Sequence, residues 1–217
     1  MRQPGGRRLT RRGFTLIELM VTVLVVSILA LLAIPALTKA QDDRVAYQNT
    51  VMVSQLLRRA RTNAVGRGAA MLVTITSNGT TDRGTFTVYE GVRANGSGAG
   101  GSDTPQPACR FPTDWTNAAM KRKVAEASLN GGGDASIGIE TTVQVYETGT
   151  PTGYPSLNIC FAPSGRSYIS ATLDFNGKQP NLAPVTIDVS RMVGGSPEGL
   201  RRRVALSPGG ATTIQRL

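Results

Sequence analysis

The apolar and polar positions fall into distinct regimes along the chain. From Phe14 to Leu37 nearly every residue is Leu, Val, Ile, Ala or Met, and Glu18 is the single charge. At about 1.5 Å rise per residue, such a run makes a helix of roughly 36 Å, longer than the apolar core of a bilayer at about 30 Å. In lipid a helix satisfies each backbone group internally, so the valines and isoleucines of this run do not forbid it. Pro35 lacks an N–H and is expected to kink the helix near its membrane exit. Beyond it the apolar residues thin to one stripe. Asn49, Val53, Leu56, Leu57, Ala60 and Ala64 recur three or four apart, which reads as one face of an amphipathic helix ended by Gly66 and Gly68.

After Gly68 the period changes. Residues 71–76 and 85–89 are rich in β-formers and flank the turn signal Ser77-Asn78-Gly79. Strand patterns recur at 137–146, 156–161, 168–175, 185–189, 203–206 and 212–214, separated by Pro, Gly and Asn turns. Short strands without intervening helices predict an antiparallel sheet or sandwich, packed on the stem face that needs cover. The expected fold class is therefore α+β, a long N-terminal helix under a β-rich antiparallel head. Two segments stand apart. Residues 94–107 are rich in Gly, Ser and Pro and read as a loop. Residues 118–129 read as a short helix, capped by Thr116 or Asn117 and stopped by Gly131, Gly132 and Gly133.

Charge places the N-terminus. The chain has 217 residues and a formal charge of +10, and five arginines with no acid lie in residues 1–13. Basic flanks stay in the cytoplasm, so an N-in, C-out orientation follows. The apolar run is too long for a removed secretory h-region, and no small-x-small cleavage site follows it. About half of the positive charge thus belongs to the N-terminal segment, and the mild excess elsewhere is weak support for an anionic partner. Arg58, Arg59, Arg61 and Arg67 crowd the end of the second helical stretch, where cations suit the helix dipole. They read as a solvated face before they read as an anion-contacting ridge.

The chemistry the chain lacks narrows its function. It has no histidine, which removes Ser-His-Asp, Cys-His and histidine metal sites. The two cysteines are too far apart in sequence for a zinc motif, and Gly131-Gly132-Gly133 is followed by Asp134 rather than by the Lys-Ser/Thr of a phosphate loop. Neither cofactor nor metal is expected, and an enzyme is not expected. Aromatic residues are 5 %, too sparse for a base-stacking platform. Cys109 and Cys160 allow one intramolecular pairing; outside the inner membrane a disulfide is permitted and is favoured over two buried thiols.

The segment Gly13-Phe14-Thr15-Leu16-Ile17-Glu18-Leu19, with its basic leader and Pro35, resembles the N-terminal signature of type IV pilins. That resemblance implies cleavage by a prepilin peptidase between Gly13 and Phe14 and N-methylation of Phe14. It implies that Glu18 pairs with the Phe14 amine of a neighbouring subunit; a buried opposite-charge pair fixes register even where it adds little net stability. A second resemblance, to GspH/FimT pilin-like proteins, rests on three looser stretches: Leu57 to Ala64 with Arg67-Gly68 and the following strand, Ile159 to Arg166, and Arg203 to Gly210. Residues 90–135 have no counterpart in it. The implied organisation is a cleaved leader at 1–13, a transmembrane helix at 14–37, an amphipathic stem at 38–67 and a periplasmic head at 68–217.

The reading is a minor pilin or pseudopilin, anchored in the inner membrane and then assembled with other pilin subunits into a type IV pilus or a type II secretion pseudopilus. The alternative is a filament-tip subunit that binds DNA for uptake. DNA-binding FimT-like proteins carry a terminal Gly-Arg-x-Arg, where this chain has Gly209-Gly210-Ala211-Thr212. The cations left for anion contact are Arg166 and the run Arg201, Arg202, Arg203. A basic cluster without readout geometry binds weakly and with strong salt dependence. The same run reads first as charge that protects an edge strand from pairing.

Overall fold

The computed structural model describes residues 15–78, 82–93, 104–129, 136–144, 151–154, 156–193 and 196–217. The leader with Gly13, Phe14, and most of the 94–107 loop lie outside these residues. The chain forms two compact units, Met1–Gln41 and Asp42–Leu217.

A single helix, α1 (Leu16–Arg67), runs for 52 residues. It starts on Thr15, whose Oγ1 accepts from the Glu18 amide at 3.3 Å while its carbonyl accepts from Leu19 at 3.2 Å. A threonine here satisfies a backbone donor that the helix itself leaves unpaired. Helical structure continues through Pro35. It stops where Gly68 takes a φ of 63°, the left-handed conformation that a glycine reaches without a Cβ clash.

Within the first unit every described side chain of α1 is exposed, Leu16 at 78 % and Leu31 at 72 % among them. Thr22 and Ser27 return their hydroxyls to the carbonyls of Leu19 and Val23, so neither adds an unpaired donor to the apolar surface. No helix among the described residues is long and apolar enough to cross a membrane. The described side chains of the apolar run are continuous to Leu31, over about 24 Å of helix, and resume at Leu37. The side chains of residues 32–36 lie outside the described residues.

In the second unit α1 buries one stripe, Ala46, Asn49, Thr50, Val53, Ser54, Leu57, Ala60 and Ala64. This is the three-and-four spacing of the sequence. Two five-stranded antiparallel sheets complete the unit. The strands are β1 (Met71–Asn78), β2 (Asp82–Gly91), β3 (Lys121–Ser128), β4 (Ser136–Gln144), β5 (Pro151–Tyr154), β6 (Ser156–Phe161), β7 (Ser167–Ser170), β8 (Val185–Val193), β9 (Ser196–Leu206) and β10 (Thr212–Arg216). The first sheet is ordered β3-β2-β1-β6-β7 and the second β10-β9-β8-β4-β5. The main core joins Val53, Leu57, Ala60 and Ala64 of α1 to inward residues of both sheets, such as Val73, Ile75, Phe86, Ile159, Ile187 and Val204. Each fully buried aliphatic of this kind contributes roughly 1.5–3 kcal/mol.

The first sheet is covered on both faces. Met71, Val73 and Ile75 of β1 enter the main core, while Ala70 and Leu72 face a second cluster with Cys109, Trp115, Cys160, Tyr168 and Phe175. The period of two thus divides β1 between two apolar layers. The outer layer draws Cys109 and Trp115 from the stretch without sequence resemblance, and Tyr168 and Phe175 from β7 and the residues after it. Its backbone is laced to the sheet edge by Ala70 N donating to Gln106 O at 2.7 Å and Gln106 N donating to Gly91 O at 2.9 Å.

The expected helix at 118–129 is corrected. Only a short 3-10 turn, Ala118–Met120, forms, with the Asn117 side chain accepting from Ala119 N. The chain then extends as β3, paired to β2 with Arg122 opposite Glu90 and Lys123 opposite Tyr89. Lys, Ala and Glu favour a helix in isolation, but pairing along a sheet edge outweighs tenths of a kcal/mol per residue. Strand β5 is an addition to the expected set, β9 begins earlier than expected, and β7 ends at Ser170 rather than at 175.

Candidate functional site

The N-terminal site is built on the first turn of α1. The spacing Thr15-Leu16-Ile17-Glu18 matches a capping box, in which a hydroxyl at the cap is followed three residues later by Glu. Glu18 is an acid in the first turn, where the helix dipole favours negative charge. The carboxylate is exposed, and no other charge lies on the described apolar run. A helix-start role for Glu18 was legible in the sequence through Thr15 and is additional to the register role drawn from the family resemblance. Gly13 and Phe14 lie outside the described residues, and Pro35 is described as helical backbone alone.

The head cations divide into engaged and exposed. Arg203 and Asp188 face each other across β9 and β8. They form a two-pronged pair, Nε to Oδ1 at 2.6 Å and Nη2 to Oδ2 at 2.8 Å. The bond from Asp188 raises the Arg203 pKa above its ordinary value, against the opposing effect of burial. Arg202 points to the other face of β9, where it stacks over Tyr47 at 5.1 Å and donates to the Asp43 carbonyl at 3.3 Å. Arg166 and Arg201 are exposed. The basic run therefore does not present three parallel cations: strand alternation sends neighbours to opposite faces, and one of them is committed to an acid. The expected edge strand is also corrected, since β9 pairs with β10 on one side and β8 on the other.

The arginines of α1 are also used. Arg58 donates to Thr212 Oγ1 at 2.6 Å and to the Thr212 carbonyl at 2.8 Å, tying α1 to the start of β10. Arg67 and Arg122 both reach Glu90, whose side chain is 1 % exposed, at 2.7 and 2.6 Å. Glu90 gave no signal in sequence, because nothing local distinguishes a buried acid on a strand. On the far side of the first sheet Cys109 and Cys160 form a disulfide with an S–S distance of 2.09 Å. Trp115 is buried beside it and donates from Nε1 to the Cys109 carbonyl at 2.9 Å.

Residues 8–34 match the prokaryotic N-terminal methylation motif. At its N-terminus the chain is type IV pilin-like. The motif implies a membrane-anchored precursor, processing by a prepilin peptidase and assembly with other pilins. No curated protein matches the chain in sequence. Among solved structures, the type IV minor pilin FimU of Pseudomonas aeruginosa aligns over 83 % of this chain and 90 % of its own. The sequence identity is 15 % and the TM-score 0.37, too distant to support any inference. The α+β architecture, a long N-terminal helix with an antiparallel β head, rests on the chain's own elements.

Proposed function

We propose that this protein is a minor pilin or pseudopilin subunit that works by assembly rather than by catalysis. The run 14–37 anchors the precursor in the inner membrane with the basic leader in the cytoplasm and the head in the periplasm. Prepilin peptidase cuts between Gly13 and Phe14, and the new Phe14 amine is methylated. In the filament the apolar helix packs against its neighbours, Glu18 sets register against a neighbouring Phe14 amine, and Pro35 loosens the helix.

The observation that carries this reading is the motif at residues 8–34, together with the exposure of every described apolar side chain of α1 from Leu16 to Leu31. So much uncovered apolar surface requires lipid or other subunits. The type IV pilus and the type II secretion pseudopilus both fit this chemistry. Engagement of Arg202 by the stem helix and of Arg203 by Asp188 favours the assembly role over DNA capture at a filament tip.

The test is the N-terminus of the intact protein, measured by mass spectrometry from membranes of cells with and without prepilin peptidase. A chain beginning at methylated Phe14 only when the peptidase is present supports the reading. A chain that retains residues 1–13 in both leaves an ordinary membrane anchor and ends it.

A further inference from the structure

Arg61 is held in an unusual way. It lies across two glycine turns, one joining β6 to β7 and the other joining β9 to β10. A Cβ on Gly210 would sit 2.6 Å from Arg61 Nε and 2.7 Å from its Cδ, and a Cβ on Gly165 would sit 3.6 Å from Nη2. Both glycines take left-handed φ values, 77° and 80°. The Nε is sealed from solvent and has no hydrogen-bond partner. An unpaired buried donor of a charged group is costly.

Arg61 opens onto a groove of about 630 Å³ between α1, from Arg58 to Gly66, and the turn at residues 210–212. Two guanidiniums and, among the described residues, no acid line it, and Val65, Gly66 and Ala211 add apolar lining. We infer that this groove receives a carboxylate side chain of another protein. Arg58 keeps Nε and Nη2 on Thr212 and adds its charge to the groove, so the two neighbouring cations suit one anion beside Arg61 rather than a strand of phosphates. With Nε sealed, the Nη1–Nη2 end of the Arg61 guanidinium is the fork left to match a carboxylate's two oxygens. Among the described residues the groove lining contains no aromatic ring on which a base could stack. The nearby C-terminus of α1 opposes an anion with about half a negative charge, which two whole cations outweigh.

The test uses the full-length chain in detergent micelles and fluorescence anisotropy with a labelled tetraglutamate peptide. Tetraglutamine and a labelled oligothymidylate are the comparison probes. Tetraglutamate is expected to bind and tetraglutamine not. Arg61→Ala is expected to weaken tetraglutamate binding by at least about tenfold, the loss of one charge-assisted bond. Arg61→Lys, which keeps the charge without the fork, is expected to lie between, and it keeps the test open if Arg61→Ala fails to fold. Arg59→Ala removes an exposed charge absent from the groove lining and is expected to leave binding unchanged. Binding that Arg59→Ala reduces as much as Arg61→Ala, or Arg61-dependent binding of the oligonucleotide in place of the peptide, would overturn the inference.

Discussion

Arg67 Nε donates to Glu90 Oε1 at 2.7 Å, and this joins the last residue of α1 to a carboxylate that is 1 % exposed on β2. Arg122 of β3 holds the other oxygen at 2.6 Å. One buried acid thus ties the end of the stem helix to the edge strand that sequence propensity reads as helix. Both arginines are about half exposed, so screening reduces their attraction. Glu90→Gln is expected to cost about 1–3 kcal/mol through weakened charge-assisted bonds. Thermal unfolding followed by circular dichroism checks this; an unchanged midpoint would show that the acid serves no structural purpose.

The disulfide crosses from the outer layer to β6, which lies between β1 and β7. Cys109 and Cys160 are 51 residues apart, and closing such a loop stabilises by about 4 kcal/mol on the chain-entropy argument. Reduction is expected to lower the unfolding midpoint by about 8–16 °C. The outer layer around Trp115 should loosen first, because the disulfide is the covalent tie that holds it to β6. Trp115 fluorescence during reduction reports that loosening, and an indole signal that stays native in excess reductant would count against it.

Next to the disulfide, Asp114 anchors the turn that carries Trp115. Its Oδ1 accepts from Thr116 Oγ1 at 2.6 Å and from Thr116 N at 2.9 Å. The hydroxyl bond, then the amide bond, hold the Asp114 carboxyl below its ordinary pKa. A carboxyl depressed in the folded state contributes stability that is fully present above the unfolded pKa and is lost as pH falls through the folded value. Wild type is therefore expected to lose stability relative to Asp114→Asn as pH falls from about 5 to about 2. Unfolding midpoints of the two proteins across that range decide it; parallel curves would remove the role given to Asp114.

Much of the architecture was legible because burial imposes a period. The stripe through Val53, Leu57, Ala60 and Ala64 shows the helical spacing, and Met71 to Ile75 shows a strand's. Strand β3 hid because all but two of its residues are exposed, so it shows no alternation. Strand β5 hid because Pro151–Tyr154 is four residues long. The N-terminal motif was legible because its chemistry is written contiguously. The partners of the head arginines were not, since Asp188 meets Arg203 only through strand register and Glu90 meets Arg67 only through the end of α1.

The contact between Arg61 and Gly210 can be measured as a coupling energy. Gly177 and Gly210 have similar φ values, 74° and 77°, but a Cβ on Gly177 meets nothing within 4 Å. Gly177→Ala therefore reports backbone strain alone, about 1–2 kcal/mol. Gly210→Ala adds the clash with Arg61 and is expected to cost about 1 kcal/mol more, the lower range seen for overpacking. Removing the arginine should remove that excess. In urea unfolding, Arg61→Ala combined with Gly210→Ala is thus expected to be more stable than the sum of the single changes, whereas Arg61→Ala with Gly177→Ala should be additive. Additivity in both pairs would mean that the arginine swings aside freely and that Gly210 is kept for its φ alone.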